Sequence, residues 1–248
     1  MWVILIAAAA LAGWVDAVIG GGGLILIPVL MAGTPMPPAA ILATNKIAAV
    51  SGTASAAMTL VRRVGVPRIT WVYAVTAGVL SAAGALVASR VDAALLRPLI
   101  LCLLIAVGVF VAVKPEFGTG DADNRPRLTR GRTTAAALLA AAVGFYDGTF
   151  GPGTGMFLIM GFTALFAQNF LRSAAMSKVV NSVTNIGALV VFISAGFVDW
   201  PLALALAVAN VAGAQVGART VLGGGAKLVR YALLTLVVVL STYLAFQL

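Results

Sequence analysis

Two lysines lie inside otherwise apolar segments of the chain and could bind an anion. Lys46 belongs to the segment 39–61 and Lys178 to the segment 171–195. A charge near the bilayer centre costs about 2.5–3.5 kcal/mol on insertion scales, so such residues usually face the protein interior or a cavity. We expect both lysines to be buried and functional. The alternative is that each side chain extends along its helix and places its ammonium group at the membrane surface.

Polar residues accompany both lysines. Lys178, Asn181 and Asn185 have the i, i+3, i+7 spacing of one helical face. Asn45 directly precedes the first lysine, but Ala49 stands at the position that corresponds to Asn181. We therefore expect the second half to contribute more hydrogen-bonding groups to an anion. Alternatively, the asparagines join neighbouring helices to one another.

A glycine-rich break interrupts an apolar run in each half of the chain. The breaks are GWVDAVIGGGG at 13–23 and GFYDGTFGPGTG at 144–155. Glycine costs about 1 kcal/mol relative to alanine in a helix, and a membrane tolerates such a break only inside protein or beside water. We expect helices to restart near Leu24 and Met156 and to direct free N–H groups at an anion. The glycines predicted to bind it are Gly20, Gly21, Gly22, Gly23, Gly151, Gly153 and Gly155.

One aspartate precedes each break. Asp16 lies four residues before Gly20, and Asp147 lies four residues before Gly151. These carboxylates could carry protons, pair with the lysines, lie at an interface or cap a helix. A carboxylate beside an anion site must be protonated or paired.

The composition is that of an integral membrane protein. The 248 residues are 62% hydrophobic and only 9% charged, with a mean hydropathy of +1.09, whereas soluble domains carry roughly 25% charged residues. Apolar runs of about 20 residues predict helices rather than a β-barrel. The net charge of +9 lies mainly in loops, so we expect no nucleic-acid partner. One cysteine, no histidine and no nucleophile–base pair argue against a metal site, a cofactor or an enzyme.

The chain is predicted to be a duplication. Four special residues align at an offset of 131–132: Gly13 with Gly144, Asp16 with Asp147, Lys46 with Lys178, and Gly65 with Gly196. Paired breaks at corresponding places in two halves indicate the binding site of a transporter. We predict a first transmembrane repeat at 1–113, a cytoplasmic linker at 114–132 and a second repeat at 133–248.

The basic residues favour inverted repeats. If each break is the tip of a re-entrant hairpin, each repeat adds three spanning helices. Twelve loop lysines and arginines then lie inside, and only Arg90 and Arg97 lie outside. If each break is a kinked spanning helix, the division is eight against six. We therefore predict an all-α protein with two inverted repeats and both termini outside, so that Asp199 is exposed externally.

The motifs resemble those of the TauE/SafE family of sulfite and organosulfonate exporters. The resemblance rests on GWVDAVIGGGGLILIPVL, on TNK at 44–46, and on the second copy GFYDGTFGPGTG with SKVVNSVTN at 177–185. It implies a multi-pass permease of a bacterial or archaeal inner membrane that exports small sulfur oxyanions, coupled to the proton gradient. It also implies that substrate binding involves Asn45, Lys46, Lys178, Asn181 and Asn185, with Asp16 and Asp147 as candidates for proton coupling.

Other functions remain open at this point. A passive anion channel could have the same lining, and a permease could carry an anion without sulfur. A cation substrate is disfavoured because two lysines would repel it. The expected partners are the small anion and the lipid bilayer, and small residues on helices 69–89 and 201–221 would suit internal packing or a homodimer.

Overall fold

The structure, a computed structural model, describes residues 1–113 and 129–224, and the regular elements in those ranges are all α-helices. The predicted helix 227–246 and most of the predicted linker lie outside the described residues. Helix α6 begins at Arg130, inside the predicted linker, where the Thr129 side chain accepts a hydrogen bond from the Arg132 amide. The helices are α1 (Trp2–Ile19), α2 (Gly23–Gly33), α3 (Pro38–Val64), α4 (Ile69–Ala88), α5 (Ala93–Val113), α6 (Arg130–Thr149), α7 (Thr154–Phe166), α8 (Phe170–Ser194) and α9 (Trp200–Gly224).

Four helices of the described ranges are long and apolar enough to cross a membrane. They are α1, α4, α8 and α9. Helix α1 is long and apolar enough to span a membrane, although the sequence predicts it to be one arm of a hairpin. Its 18 residues span about 27 Å at 1.5 Å per residue, close to the thickness of a bilayer core. Length alone therefore does not separate a hairpin arm from a spanning helix.

Each glycine break joins two helices that fold back on each other. Gly33, at the end of α2, lies against Met1 and Leu5 at the start of α1. In the second half, Gly161 of α7 lies against the Leu139 side chain of α6. The pairs α1–α2 and α6–α7 are therefore antiparallel hairpins with the glycine segment at the tip.

Small residues let each hairpin approach a helix of the other half closely. A Cβ added to Gly13 of α1 would lie 2.2 Å from the carbonyl oxygen of Asn210 in α9. A Cβ on the aligned Gly144 of α6 would lie 2.4 Å from the carbonyl oxygen of Ala77 in α4. Small residues at such crossings allow backbones to touch. Glycines of α4 and α9 face the hairpins in the same way, because a Cβ on Gly84 would meet the Phe145 carbonyl oxygen of α6 and one on Gly213 would meet the Ala10 carbonyl oxygen of α1. These small residues serve packing within the chain.

Helices α3 and α8 form the centre of the described protein. They pack against each other, α3 also packs on α9, and α8 also packs on α4. Each carries its lysine on a buried stretch, at positions 41–48 of α3 and 173–182 of α8. This arrangement brings the two lysine-bearing segments beside the two hairpin tips.

Candidate functional site

The two hairpin tips meet backbone to backbone. Gly20 adopts a left-handed φ of 83°, and a Cβ there would lie 2.3 Å from the carbonyl carbon of Gly155. The Met156 amide donates a hydrogen bond of 3.3 Å to the Gly20 carbonyl oxygen. This amide, which we expected to face an anion, therefore bonds to the other tip instead.

The helices restart slightly earlier than the sequence suggested. Helix α2 begins at Gly23 rather than Leu24, and α7 begins at Thr154 rather than Met156. Gly23 and Gly155 thus belong to helices rather than to the non-helical breaks. Their amides still lie in the first turn of each helix, where the positive end of the helix dipole is located.

A small interior cavity lies between the tips, α3 and α8. Its volume of about 20 Å³ suits a single water molecule. Of the predicted site residues, Gly21, Gly22 and Lys178 do not line it. The lining residues are Asp16, Gly20, Gly23, Asn45, Lys46, Ala49, Asp147, Gly151, Gly153, Thr154, Gly155, Asn181 and Asn185.

Lys46 forms a buried ion pair with the aspartate of the other half. Its Nζ lies 2.5 Å from Oδ2 of Asp147, and both side chains are only 2% exposed. The hydroxyl of Thr154 donates to Oδ1 of the same carboxylate at 2.8 Å, and the Ser81 hydroxyl lies 3.5 Å from Oδ2. Asp147 is therefore held by the Lys46 cation and the Thr154 hydroxyl, and the Ser81 hydroxyl of a third helix lies beside it.

Lys178 forms the reciprocal pair. Its Nζ lies 2.9 Å from Oδ2 of Asp16 and also donates to the backbone carbonyl oxygen of that residue. Thr53 donates to Oδ2 at 3.0 Å, and the Gly22 amide donates to Oδ1 at 3.4 Å. The lysine of each half thus neutralises the aspartate at the other hairpin tip.

Burial decides between the two interpretations of the lysines. Lys46 is 2% exposed and Lys178 is 0% exposed, so neither ammonium group extends to the membrane surface. The aspartates are ion-pair partners of the lysines, one of the four roles considered for them. Binding of a substrate by either lysine stays a prediction.

The asparagines of α8 make hydrogen bonds within their own helix. The Asn185 side-chain amide donates to the Asn181 backbone oxygen at 2.7 Å and approaches the Asn181 side-chain oxygen at 3.4 Å. Thr184 also approaches that oxygen, at 3.3 Å. Both asparagines line the cavity, and binding of a substrate by either of them stays a prediction.

The family follows from comparison with known proteins. Residues 5–244 match the family described as sulfite exporter TauE/SafE. The chain belongs to the TauE/SafE family. It is 38% identical over 246 residues to YfcA of Escherichia coli K12, named a probable membrane transporter protein, covering 98% of this chain and 89% of YfcA. It is 37% identical over 249 residues to a probable membrane transporter protein, ORF9, of Sinorhizobium sp, covering 98% and 90%.

A further relative is a probable membrane transporter protein of Haemophilus influenzae, 34% identical over 220 residues, covering 88% of this chain and 84% of the relative. No solved structure matches the chain. Family and relatives together identify a multi-pass membrane transporter, and their names describe transport rather than catalysis.

Two polar neighbours of the Asp147 carboxylate were not predicted from the sequence. Thr154 lies inside the second glycine motif but was treated as part of the break. Ser81 lies in α4 and donates to the Thr184 carbonyl oxygen at 2.8 Å as well as approaching Asp147. Its position among the small residues of α4 was the only available signal, and that signal indicates packing rather than chemistry.

Proposed function

We propose that this protein is a secondary transporter that exports a small sulfur-containing oxyanion, such as sulfite or a short organosulfonate. The proposal places it in a bacterial or archaeal inner membrane and couples it to protons. The observation that carries it is the convergence of Lys46 and two helix N-termini on one interior cavity, with the second buried lysine, Lys178, paired to Asp16 of its lining. Ammonium groups and free N–H groups are the donors that an oxyanion requires.

The cavity supports alternating access with the described conformation as a closed state. A volume of about 20 Å³ is too small for a sulfite ion, because it suits one water molecule. A substrate therefore enters only when the hairpin tips separate from each other or from α3 and α8. Rigid movement of hairpins against the remaining helices is a common way to open such a site.

The contact between the hairpin tips supports the inverted arrangement of the two halves. Gly20 lies against Gly155 at the tips, whereas α1 and α6 do not pack along their lengths, as expected for hairpins that enter from opposite sides of the membrane. Inverted halves place the α3–α4 loop and the α8–α9 loop on opposite sides of the membrane. Parallel halves would place both loops on the same side.

Cysteine labelling tests this topology. In a Cys102→Ser background, we expect Asp199→Cys to react with an impermeant maleimide from outside intact cells. Arg68→Cys, at the corresponding place between α3 and α4, should react only after the membrane is opened. Labelling of both positions from the same side would show parallel halves.

Anion binding is tested by thermal shift on purified protein. A ligand at 100 times its dissociation constant stabilises the folded state by about 2.7 kcal/mol. We expect sulfite, thiosulfate or sulfoacetate to stabilise the wild type, and acetate and chloride to have little effect. Lys178→Met should remove the stabilisation, and Lys178→Met with Asp16→Asn should also remove it without leaving an unpaired carboxylate.

The matched control is Val190→Met, which adds the same residue to an exposed position of α8, where Val190 is 65% exposed. It should respond to anions as the wild type does. Undiminished stabilisation of both lysine variants would contradict the proposed role of Lys178. Counterflow of labelled anion in proteoliposomes separates a transporter from a channel, because only a carrier exchanges bound substrate against a gradient.

A further inference from the structure

The charges in the closed site sum to zero. Lys46 from α3 and Lys178 from α8 are matched by Asp147 from α6 and Asp16 from α1. The one other titratable side chain that faces this region in the described ranges is Tyr146, whose hydroxyl donates to the Pro152 carbonyl oxygen at 2.7 Å. The parts of α2, α4, α7 and α9 packed here contribute neutral groups. The closed site therefore has no spare positive charge for an anion.

The carboxylates occupy the positions that substrate oxygens would need. Each lysine Nζ lies within 2.9 Å of a carboxylate oxygen, which is the distance of a charge-assisted hydrogen bond. An anion reaches the ammonium groups only if the carboxylates release them. A released carboxylate that stays ionised would be a buried charge without a partner, which is strongly unfavourable.

We infer that the proton is a co-substrate at this site: each negative charge of the anion enters with one proton, which binds Asp16 or Asp147, and both leave together on the other side. This inference rests on the proposed function. A protonated aspartate keeps hydrogen-bond partners in its present position. Thr154 and Ser81 lie beside Asp147, Thr53 lies beside Asp16, and each hydroxyl can accept as well as donate a hydrogen bond.

The order of protonation determines the direction of coupling. In the empty site each carboxylate is paired with a lysine, so neither needs a proton. The proton therefore arrives with the anion and is lost with it, so anion and proton move in the same direction. In the opposite scheme the empty site would carry protonated carboxylates beside unpaired lysines, and the two ion pairs of the closed state contradict that. A proton gradient directed inward then favours uptake of the anion, so export with protons requires an outward anion gradient that exceeds the proton gradient.

Calorimetry in buffers of different ionisation enthalpy measures the protons taken up. Methanesulfonate and thiosulfate are suitable probes because both keep a fixed charge near neutral pH. We expect uptake of about one proton per methanesulfonate and about two per thiosulfate, by proton linkage. Asp147→Asn or Asp16→Asn should each lower the thiosulfate value by about one, whereas Asp199→Asn, in the loop before α9, should leave it unchanged.

Wild-type proteoliposomes provide a second measurement that does not depend on the folding of any variant. An acidic outer medium should drive accumulation of methanesulfonate inside, and an acidic lumen should drive its exit. Anion binding without proton uptake, or accumulation with the opposite sign, would overturn the inference and leave the transporter function standing. Failure of both probes and of every anion in the thermal-shift panel to bind would instead refute the proposed function itself.

Discussion

Replacing Lys46 with methionine is expected to destabilise the folded protein by about 3–5 kcal/mol, because the change leaves the buried Asp147 carboxylate without its cation. The ammonium group lies 2.5 Å from that carboxylate, and both side chains are 2% exposed. The Thr154 hydroxyl would remain as a neutral donor to the carboxylate, but it does not replace a full charge. Thermal or denaturant unfolding in detergent measures the loss.

A second substitution separates stability from binding. Lys46→Met with Asp147→Asn removes both charges, so it should recover most of the lost stability, since neutral replacement of a buried pair is often tolerated. It should still fail to bind an anion, because one of the two ammonium groups is gone. Arg63→Met is the control, because Arg63 is exposed at the end of α3. Equal stability of the wild type and Lys46→Met would show that the pair does not form.

Gly20→Ala is expected to have the next largest effect. A left-handed φ costs an L-residue about 1–2 kcal/mol, and a methyl group forced into a filled space typically costs about 1–3 kcal/mol more. The added Cβ would lie 2.3 Å from the carbonyl carbon of Gly155, so the tips would have to separate. Because the obstructing atoms are backbone, no side-chain rotation can relieve the contact.

Gly196→Ala is the matched control for this change. Gly196 also has a left-handed φ, of 73°, at the end of α8, but a Cβ there meets nothing within 4 Å. The difference in unfolding free energy between the two variants therefore reports mainly the contact between the tips. We expect Gly20→Ala also to lose anion-dependent stabilisation, which Gly196→Ala should keep. Equal behaviour of the two variants would mean that the tips do not need to touch.

The sequence predicted the helices well because each boundary has a local cause. Glycine clusters, the TPMPP turn at 34–38 and the basic loops interrupt the apolar runs. The sequence could not show at which of the four consecutive glycines the helix ends and at which the next helix begins. Gly20 alone in that run takes a left-handed φ, since it must pass over Gly155, and Gly23 rejoins a helix. That choice depends on a neighbour from the other half.

The ion-pair partners of the lysines and aspartates also could not be predicted from local sequence patterns. Spacing along a helix showed that Lys178, Asn181 and Asn185 share a face, but it could not show which helix they meet. Lys46 and Asp147 are separated by 101 residues, and Lys178 and Asp16 by 162. Their pairing follows from how the halves interlock, and a single sequence carries no direct record of that.

The crossed ion pairs can form only late in biosynthesis, because the two partners of each pair lie in different halves of the chain. When the first half has been inserted, Asp16 and Lys46 are both present but neither has the partner that it has in the finished protein. At about 5–20 residues per second, the 162 residues between Asp16 and Lys178 take roughly 8–30 seconds to synthesise. During that interval Asp16 and Lys46 have opposite charges and can pair only with each other among these four groups. A nascent chain that stops before residue 147 never acquires either partner of the finished protein.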